Sequence, residues 1–238
     1  MSNYQSSELP QLYLYVLHSR PYRDTSAIIT SFSAEMGKVT FIAKGIRAKK
    51  QAKIALLQPF TPIQAQLYGR NELKNLSKLE ALGVALPMHD AFLYSGMYLN
   101  ELLVRTLPAE LIQPELFAVY ERSIRALANE QPLEPLLRDF EFCLLQELGY
   151  GIEFTVEQSS GELIELDNYY AFDAQEGFIK VAPNSRRAII GQVLQDIEQR
   201  RWNAQTLAVA KFITRTALRV IVGHRPLKSR ELFSQKRS

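Results

Sequence analysis

Cysteine is almost missing: Cys143 is the single one in 238 residues. One thiol can neither close an internal disulfide nor build a multi-cysteine metal site, so a reducing, cytoplasmic location is expected. Histidine is scarce as well, and His18, His89 and His224 stand too far apart for a metal-ligand spacing. No uncharged apolar run approaches the roughly 20 residues that span a bilayer, and the opening Met-Ser-Asn-Tyr-Gln-Ser-Ser-Glu lacks the basic and apolar regions of a secretory signal. Phosphate-loop chemistry is excluded by position. The only Gly-Lys pair, Gly37-Lys38, has Phe32 where such a loop needs its first glycine and Val39 where it needs Ser or Thr. Gly149-Tyr150-Gly151 follows helical text and has Phe154 in the third glycine place, so it reads as a helix cap instead of a dinucleotide fingerprint. Ser95-Gly96 lacks the flanking glycines of a nucleophile elbow. No enzyme activity, cofactor or metal is expected.

What is present is charge, sorted along the chain. The net charge of +3 divides into +6 over residues 1–82, −12 over 83–182 and +9 over 183–238. Two basic ends around an acidic middle suit a molecule that offers surfaces to polyanions and others to protein partners.

The pattern favours strands from Leu12 to about Ala81. Leu12, Leu14 and Val16 alternate with Tyr13, Tyr15 and Leu17, and Ala27 to Phe32 meets Lys38 to Lys44 across an Ala34-Glu35-Met36-Gly37 turn. In that second strand Val39, Phe41 and Ala43 share a core face, while Lys38, Thr40 and Lys44 share a basic one. Two more runs, Ile63 to Tyr68 and Leu73 to Leu82, complete five strands, which suits a small closed barrel because closure removes exposed edges. At Pro87 the period changes from two to about 3.6, the clearest domain boundary. One helix capped by Asp90 carries Phe92, Leu99, Leu102 and Leu103. A second starts near Pro114 with Leu116, Tyr120, Ile124 and Leu127 inward. A third, after Pro135, carries Leu137, Phe140, Leu144 and Leu148. Residues 151–182 break this pattern and read as a β-hairpin insertion. Two further helices hold Ile190, Val193, Leu194 and Ile197, then Leu207, Ala210, Thr214, Leu218 and Ile221. The last presents Lys211, Arg215 and Arg219 as one ridge.

The residues that stand out for chemistry are the basic run Lys44-Gly45-Ile46-Arg47-Ala48-Lys49-Lys50-Gln51-Ala52-Lys53, leaving a strand that already carries Lys38. Such a run can neutralise phosphates, and Tyr15, Tyr22 and Phe41 could stack on bases if exposed. The alternatives are a solubilising loop over buried aromatics, or a basic adaptor that binds an acidic protein without touching DNA.

Several stretches, in order along nearly the whole chain, resemble the RecO family of bacterial recombination mediators. They are Arg20-Pro21-Tyr22-Arg23-Asp24-Thr25-Ser26, Ala43-Lys44-Gly45-Ile46-Arg47, Leu57-Gln58-Pro59-Phe60-Thr61-Pro62, Leu93-Tyr94-Ser95-Gly96-Met97-Tyr98-Leu99-Asn100-Glu101-Leu102, Leu148-Gly149-Tyr150-Gly151 and Pro226-Leu227-Lys228-Ser229-Arg230-Glu231-Leu232-Phe233. The resemblance implies an α+β multidomain chain: an N-terminal OB-fold β-barrel over residues 1–84, then an α-helical domain over 85–238 with the hairpin inserted at about 151–182. It also implies a function in RecF-type DNA repair. Such proteins bind single- and double-stranded DNA and the acidic C-terminal tail of single-strand-binding protein, anneal complementary strands, and act with RecR to help load RecA. Many relatives hold a four-cysteine zinc site in the helical domain. With Cys143 alone this chain cannot, and the hairpin is expected in its place, held by Tyr169, Phe172 and Phe178.

On that basis the expected DNA contacts are Arg20, Arg23, Lys38, Lys44, Arg47, Lys49, Lys50 and Arg70. All are phosphate contacts that position without reading sequence. A second basic ridge, Lys211, Arg215, Arg219, Arg225, Lys228 and Arg230, is expected to meet DNA or RecR. Arg122, Arg125 and Arg138 are the candidates for the tail of single-strand-binding protein, and Glu121, Glu134 and Glu141 are equally placed to pair with them instead.

Overall fold

A computed structural model describes residues 10–46, 53–223 and 225–234. The chain divides into two compact units, Met1–Asn129 with Leu227–Ser238, and Glu130–Pro226.

In the first unit β1 (Gln11–Tyr22), β2 (Ser26–Ser33), β3 (Gly37–Ala43), β4 (Pro62–Tyr68) and β5 (Leu73–Ala81) close a barrel in the order β1-β2-β3-β5-β4, an OB-like arrangement. The short α1 (Lys53–Leu56) lies between β3 and β4. The alternation read from the sequence fills the interior: Leu12, Leu14, Val16, Ile29, Val39, Phe41 and Ile63 are buried in one cluster. The pairing of β1 with β2 shifts between Val16 and His18. Beyond this bulge His18 pairs with Thr30 and Arg20 with Ile28, so even-numbered residues, inward up to Val16, turn outward. A bulge changes parity this way because side chains alternate with period two.

Both faces of β1 are covered. α2 (Asp90–Thr106) and α3 (Pro114–Ala128) pack on the barrel, with Phe117 meeting Tyr13 and Phe32 edge to face and Tyr15 at a tilt, at 5.3 to 6.2 Å between ring centroids. Polar bonds fix the register. Tyr120 donates to Asn100 Oδ1 at 2.8 Å, and Asn100 Nδ2 donates to the Leu17 carbonyl at 3.2 Å. The last described helix, α7 (Ser229–Ser234), joins this unit, where Glu101 accepts from the Lys228 and Ser229 backbone amides. The strand-to-helix change at Pro87 falls between β5 and α2, yet the compact division comes at Asn129 because α2, α3 and α7 pack with the barrel. Asp90 is not a cap as expected: His89 occupies the N-cap and Asp90 the first turn, where its charge suits the helix dipole.

The second unit contains α4 (Leu133–Glu147), β6 (Tyr169–Asp173), β7 (Gly177–Val181), β8 (Ile189–Ile190), α5 (Gly191–Glu198) and α6 (Ala204–Val222). β6 and β7 are the expected hairpin, with Phe178 fully buried against Phe154 and Phe172. Ile190, expected in a helix, pairs with Tyr169 as a strand residue, and α5 begins one residue later. A reciprocal capping box between Asn203 and Thr206 starts α6. No helix among the described residues is long and apolar enough to cross a membrane.

Candidate nucleic-acid interface

The outer face of β1, β2 and β3 carries cross-strand rows set by the register. His18, Thr30, Thr40 and Leu73 form one, and Arg20, Ile28, Ile42 and Asn75 the next. Arg20 and Lys44 are exposed and have no ion pair among the described residues. They sit two strands apart, about 10 Å at ordinary strand spacing. Arg23 and Arg70 occupy the β1–β2 and β4–β5 turns, the loops that flank ligands in OB folds, and both are exposed. Arg23 lies in the left-handed region at φ 52° with its guanidinium 5.2 Å from the Tyr22 ring, which offers a half-exposed aromatic beside a cation.

Lys38 behaves differently from its neighbours. Its ammonium donates to the Val104 carbonyl at 3.1 Å, and burial pushes its pKa below the usual lysine value. The connector between α2 and α3 explains this. Ala109 bridges to Lys38, Glu110 N donates to the Lys38 carbonyl at 2.9 Å, and Gly37 lies so close to Leu111 that a Cβ would fall 1.8 Å from its carbonyl oxygen. Glu110 also takes Lys74, buried, at 2.8 Å. The connector thus borders a groove of about 280 Å³ lined by Arg20, Ile28, Lys38, Thr40, Glu72, Leu73, Ala109 and Glu110. Sequence reasoning missed Glu110 and Lys74 because only the fold brings the connector onto β3.

Two of the proposed stacking aromatics are corrected. Tyr15 and Phe41 are fully buried, Tyr15 under α3 and Phe41 inside the barrel, so neither can meet a base. Arg47, Lys49 and Lys50 lie outside the described residues.

The arginines considered for an acidic tail fall in both units. Arg125 donates to Glu121 at 2.8 Å, and Tyr15 donates to the same carboxylate at 2.9 Å, as does Tyr13. Burial works to raise the Glu121 pKa, but the hydrogen bonds from Tyr13, Arg125 and Tyr15 outweigh it and hold the carboxyl below its usual range. Burial and the same carboxylate push both tyrosines up. Arg125 remains half exposed and edges an apolar pocket of about 510 Å³ formed with Tyr13, Pro62, Leu82, Gly83, Val84 and Leu86. Arg122 is exposed on the same helix. Arg138 is in the second unit, 5% exposed, with Nη2 on Glu141 at 2.8 Å, and Thr214 donates to the other Glu141 oxygen. Arg138 Nε and Nη1 have no partner among the described residues.

The expected ridge is also divided. Lys211, Arg215 and Arg219 lie exposed along α6, with Lys211 reaching Glu134 at 3.2 Å, and Arg225 is exposed in the same unit. Lys228 and Arg230, also exposed, belong to the first unit.

Comparison with known proteins agrees with this architecture. The family description "Recombination protein O N terminal" matches residues 11–84 and "Recombination protein O C terminal" matches residues 91–231. The chain is 44% identical over 223 residues to the DNA repair protein RecO of Pasteurella multocida, covering 93% of each chain. It is 41% identical to the protein of that name from Pseudoalteromonas atlantica, with 94% of each covered, and 43% identical to that of Shigella flexneri, covering 93% and 92%. With both family descriptions matched in order along the chain and relatives matched over most of its length, the chain belongs to the RecO family of DNA repair proteins.

Proposed function

We propose that this protein is a non-enzymatic recombination mediator that holds DNA on the outer face of its barrel, residues 1–84. The observation that carries this reading is the set of exposed cations Arg20, Arg23, Lys44 and Arg70 on one strand face and its two flanking turns, none with a carboxylate among the described residues. Cations left unpaired at a surface release condensed counterions when they neutralise phosphates. Tyr22, half exposed beside Arg23, is the aromatic available for stacking. Backbone contact of this kind tolerates sequence and suits both single- and double-stranded DNA. Lys38 contributes to the groove wall and not to phosphate binding, because its ammonium is held by Val104. Arg47, Lys49 and Lys50 continue the charge along the sequence.

The same reading covers partners. The apolar pocket beside Arg125 suits the acidic, Phe-terminated tail of single-strand-binding protein, with the ring among Pro62, Leu82 and Val84 and carboxylates on Arg125 and Arg122. Lys228 and Arg230 are candidates for RecR or DNA, and RecA is served indirectly once strands are exposed and annealed. Action in the bacterial cytoplasm, at the nucleoid, follows from the same reading.

Anisotropy of a labelled single-stranded oligonucleotide over a salt series tests the central claim. The wild type should bind with a steep salt slope, and Arg20→Glu/Lys44→Glu should reduce that slope by about 1.4, from roughly 0.7 per lost contact. Absence of binding by the wild type would favour the adaptor reading, in which the barrel meets an acidic protein.

A further inference from the structure

Five cations of the second unit have a carboxylate partner. Arg138 pairs with Glu141, Lys180 with Glu165, Arg200 with Asp139, Arg201 with Asp196 and Lys211 with Glu134. Four exposed arginines have none among the described residues: Arg186 and Arg187 between β7 and β8, and Arg215 and Arg219 on α6. The two elements meet through Arg187, whose guanidinium lies 4.7 Å from the centre of the Phe212 ring. Phe212, Arg215 and Arg219 follow one another at steps of three and four along α6, so this stack brings the loop arginines to the face that carries the helical ones. The chain accepts strain to reach that position. Arg187 is in the left-handed region at φ 62°, which residues with a side chain seldom occupy.

We propose that Arg186, Arg187, Arg215 and Arg219 form a second sugar-phosphate site, which takes another nucleic-acid strand while the barrel holds the first. The proposal rests on the nucleic-acid reading of the barrel. Its chemistry favours a phosphate backbone over an acidic protein. All four groups are arginines, whose planar fork grips a phosphate through two hydrogen bonds, and a ring stacked on the Arg187 face leaves its N–H edges available. The one large apolar side chain exposed on α6 is Val220, and the Phe212 ring lies under the Arg187 guanidinium, so the patch presents charge in place of the apolar centre that protein interfaces use. Two strands bound to one chain with cations on both are brought together against a lowered mutual repulsion, which is what annealing requires.

The test titrates the full chain with labelled oligo-dT under stoichiometric conditions, then measures annealing of two complementary oligonucleotides by energy transfer. The wild type should saturate at two strands per chain. Arg215→Glu/Arg219→Glu should saturate at one, slow annealing at least tenfold and keep first-strand affinity within about twofold. Arg215→Gln/Arg219→Gln should fall between, which separates charge from misfolding, and Arg187→Ala should slow annealing about threefold. Arg20→Glu/Lys44→Glu should instead weaken the first strand. A wild type that takes a single strand, or a charge-reversed α6 that keeps two strands and the full annealing rate, overturns the proposal and leaves the patch to an acidic protein. No oligonucleotide binding by the wild type removes the barrel reading and this one together.

Discussion

Lys38 and Val104 are joined by a hydrogen bond of 3.1 Å from ammonium to carbonyl, so this cation of the barrel face serves the packing of α2. Lys38→Met should therefore lower stability more than DNA affinity. Leaving the partly buried Val104 carbonyl without its donor costs about 1 kcal/mol, visible as an earlier midpoint in urea. The salt slope of oligonucleotide binding should match the wild type, and a slope reduced as much as by Arg20→Glu would reassign Lys38 to the phosphates.

Glu110 holds Lys74 at 2.8 Å beside the same groove and adds negative charge where a DNA backbone would pass. Glu110→Gln removes that repulsion, and DNA affinity should rise about two- to fivefold at low salt, with the gain fading as salt screens it. The variant loses about 1 to 2 kcal/mol of stability because Lys74 is buried without its ion pair. Unchanged affinity at every salt concentration would put the DNA path away from the connector.

Much of this barrel was legible because period-two alternation is a local signal. Val39, Phe41 and Ala43 lie inside and Lys44 outside as read, and Pro114 opens α3 where its missing amide is harmless. What the alternation could not convey is the second burial of β1. Tyr13 and Tyr15 read as the aromatic face of a strand, with Tyr15 available to bases if exposed, but helix α3, about a hundred residues later, covers them with Phe117 and Tyr120. The bulge after Val16, which sends Arg20 outward, has no marker in residue type. The same limit applies to charge. Lys38, Arg125 and Arg138 look alike in sequence to Lys44 and Arg122, and only the fold shows that the first three are already engaged by Val104, Glu121 and Glu141.

Glu121 gathers Tyr13, Tyr15 and Arg125 at the contact between β1 and α3. Its folded pKa is below the unfolded value of about 4.3, so its contribution is fully present above that value and is lost as pH falls through the folded one. Glu121→Gln should cost about 1 to 2 kcal/mol at neutral pH and flatten the decline of stability in acid. Thermal midpoints from pH 7 to pH 3 check this. Parallel declines in both proteins would remove Glu121 from the acid response.

Arg138 and Glu141 form an ion pair with side chains only 6% and 1% exposed, and Thr214 of α6 completes the second carboxylate oxygen. Removing one partner strands the other charge in a dry core, so Arg138→Met alone should cost about 3 to 5 kcal/mol. Replacing both, Arg138→Met/Glu141→Leu, removes the desolvation penalty along with the attraction. It should recover most of that loss, with the Thr214 hydroxyl left to find another acceptor. This has a consequence for partner mapping. Loss of tail-peptide binding in an Arg138→Ala variant reports a damaged second unit unless the double variant loses it too. If Arg138→Met/Glu141→Leu melts like the wild type in urea and still binds an acidic, Phe-terminated peptide, Arg138 has no part in the tail site and Arg125 with Arg122 must hold it. If the double variant is stable and the peptide no longer binds, the free Nε and Nη1 of Arg138 are the carboxylate donors.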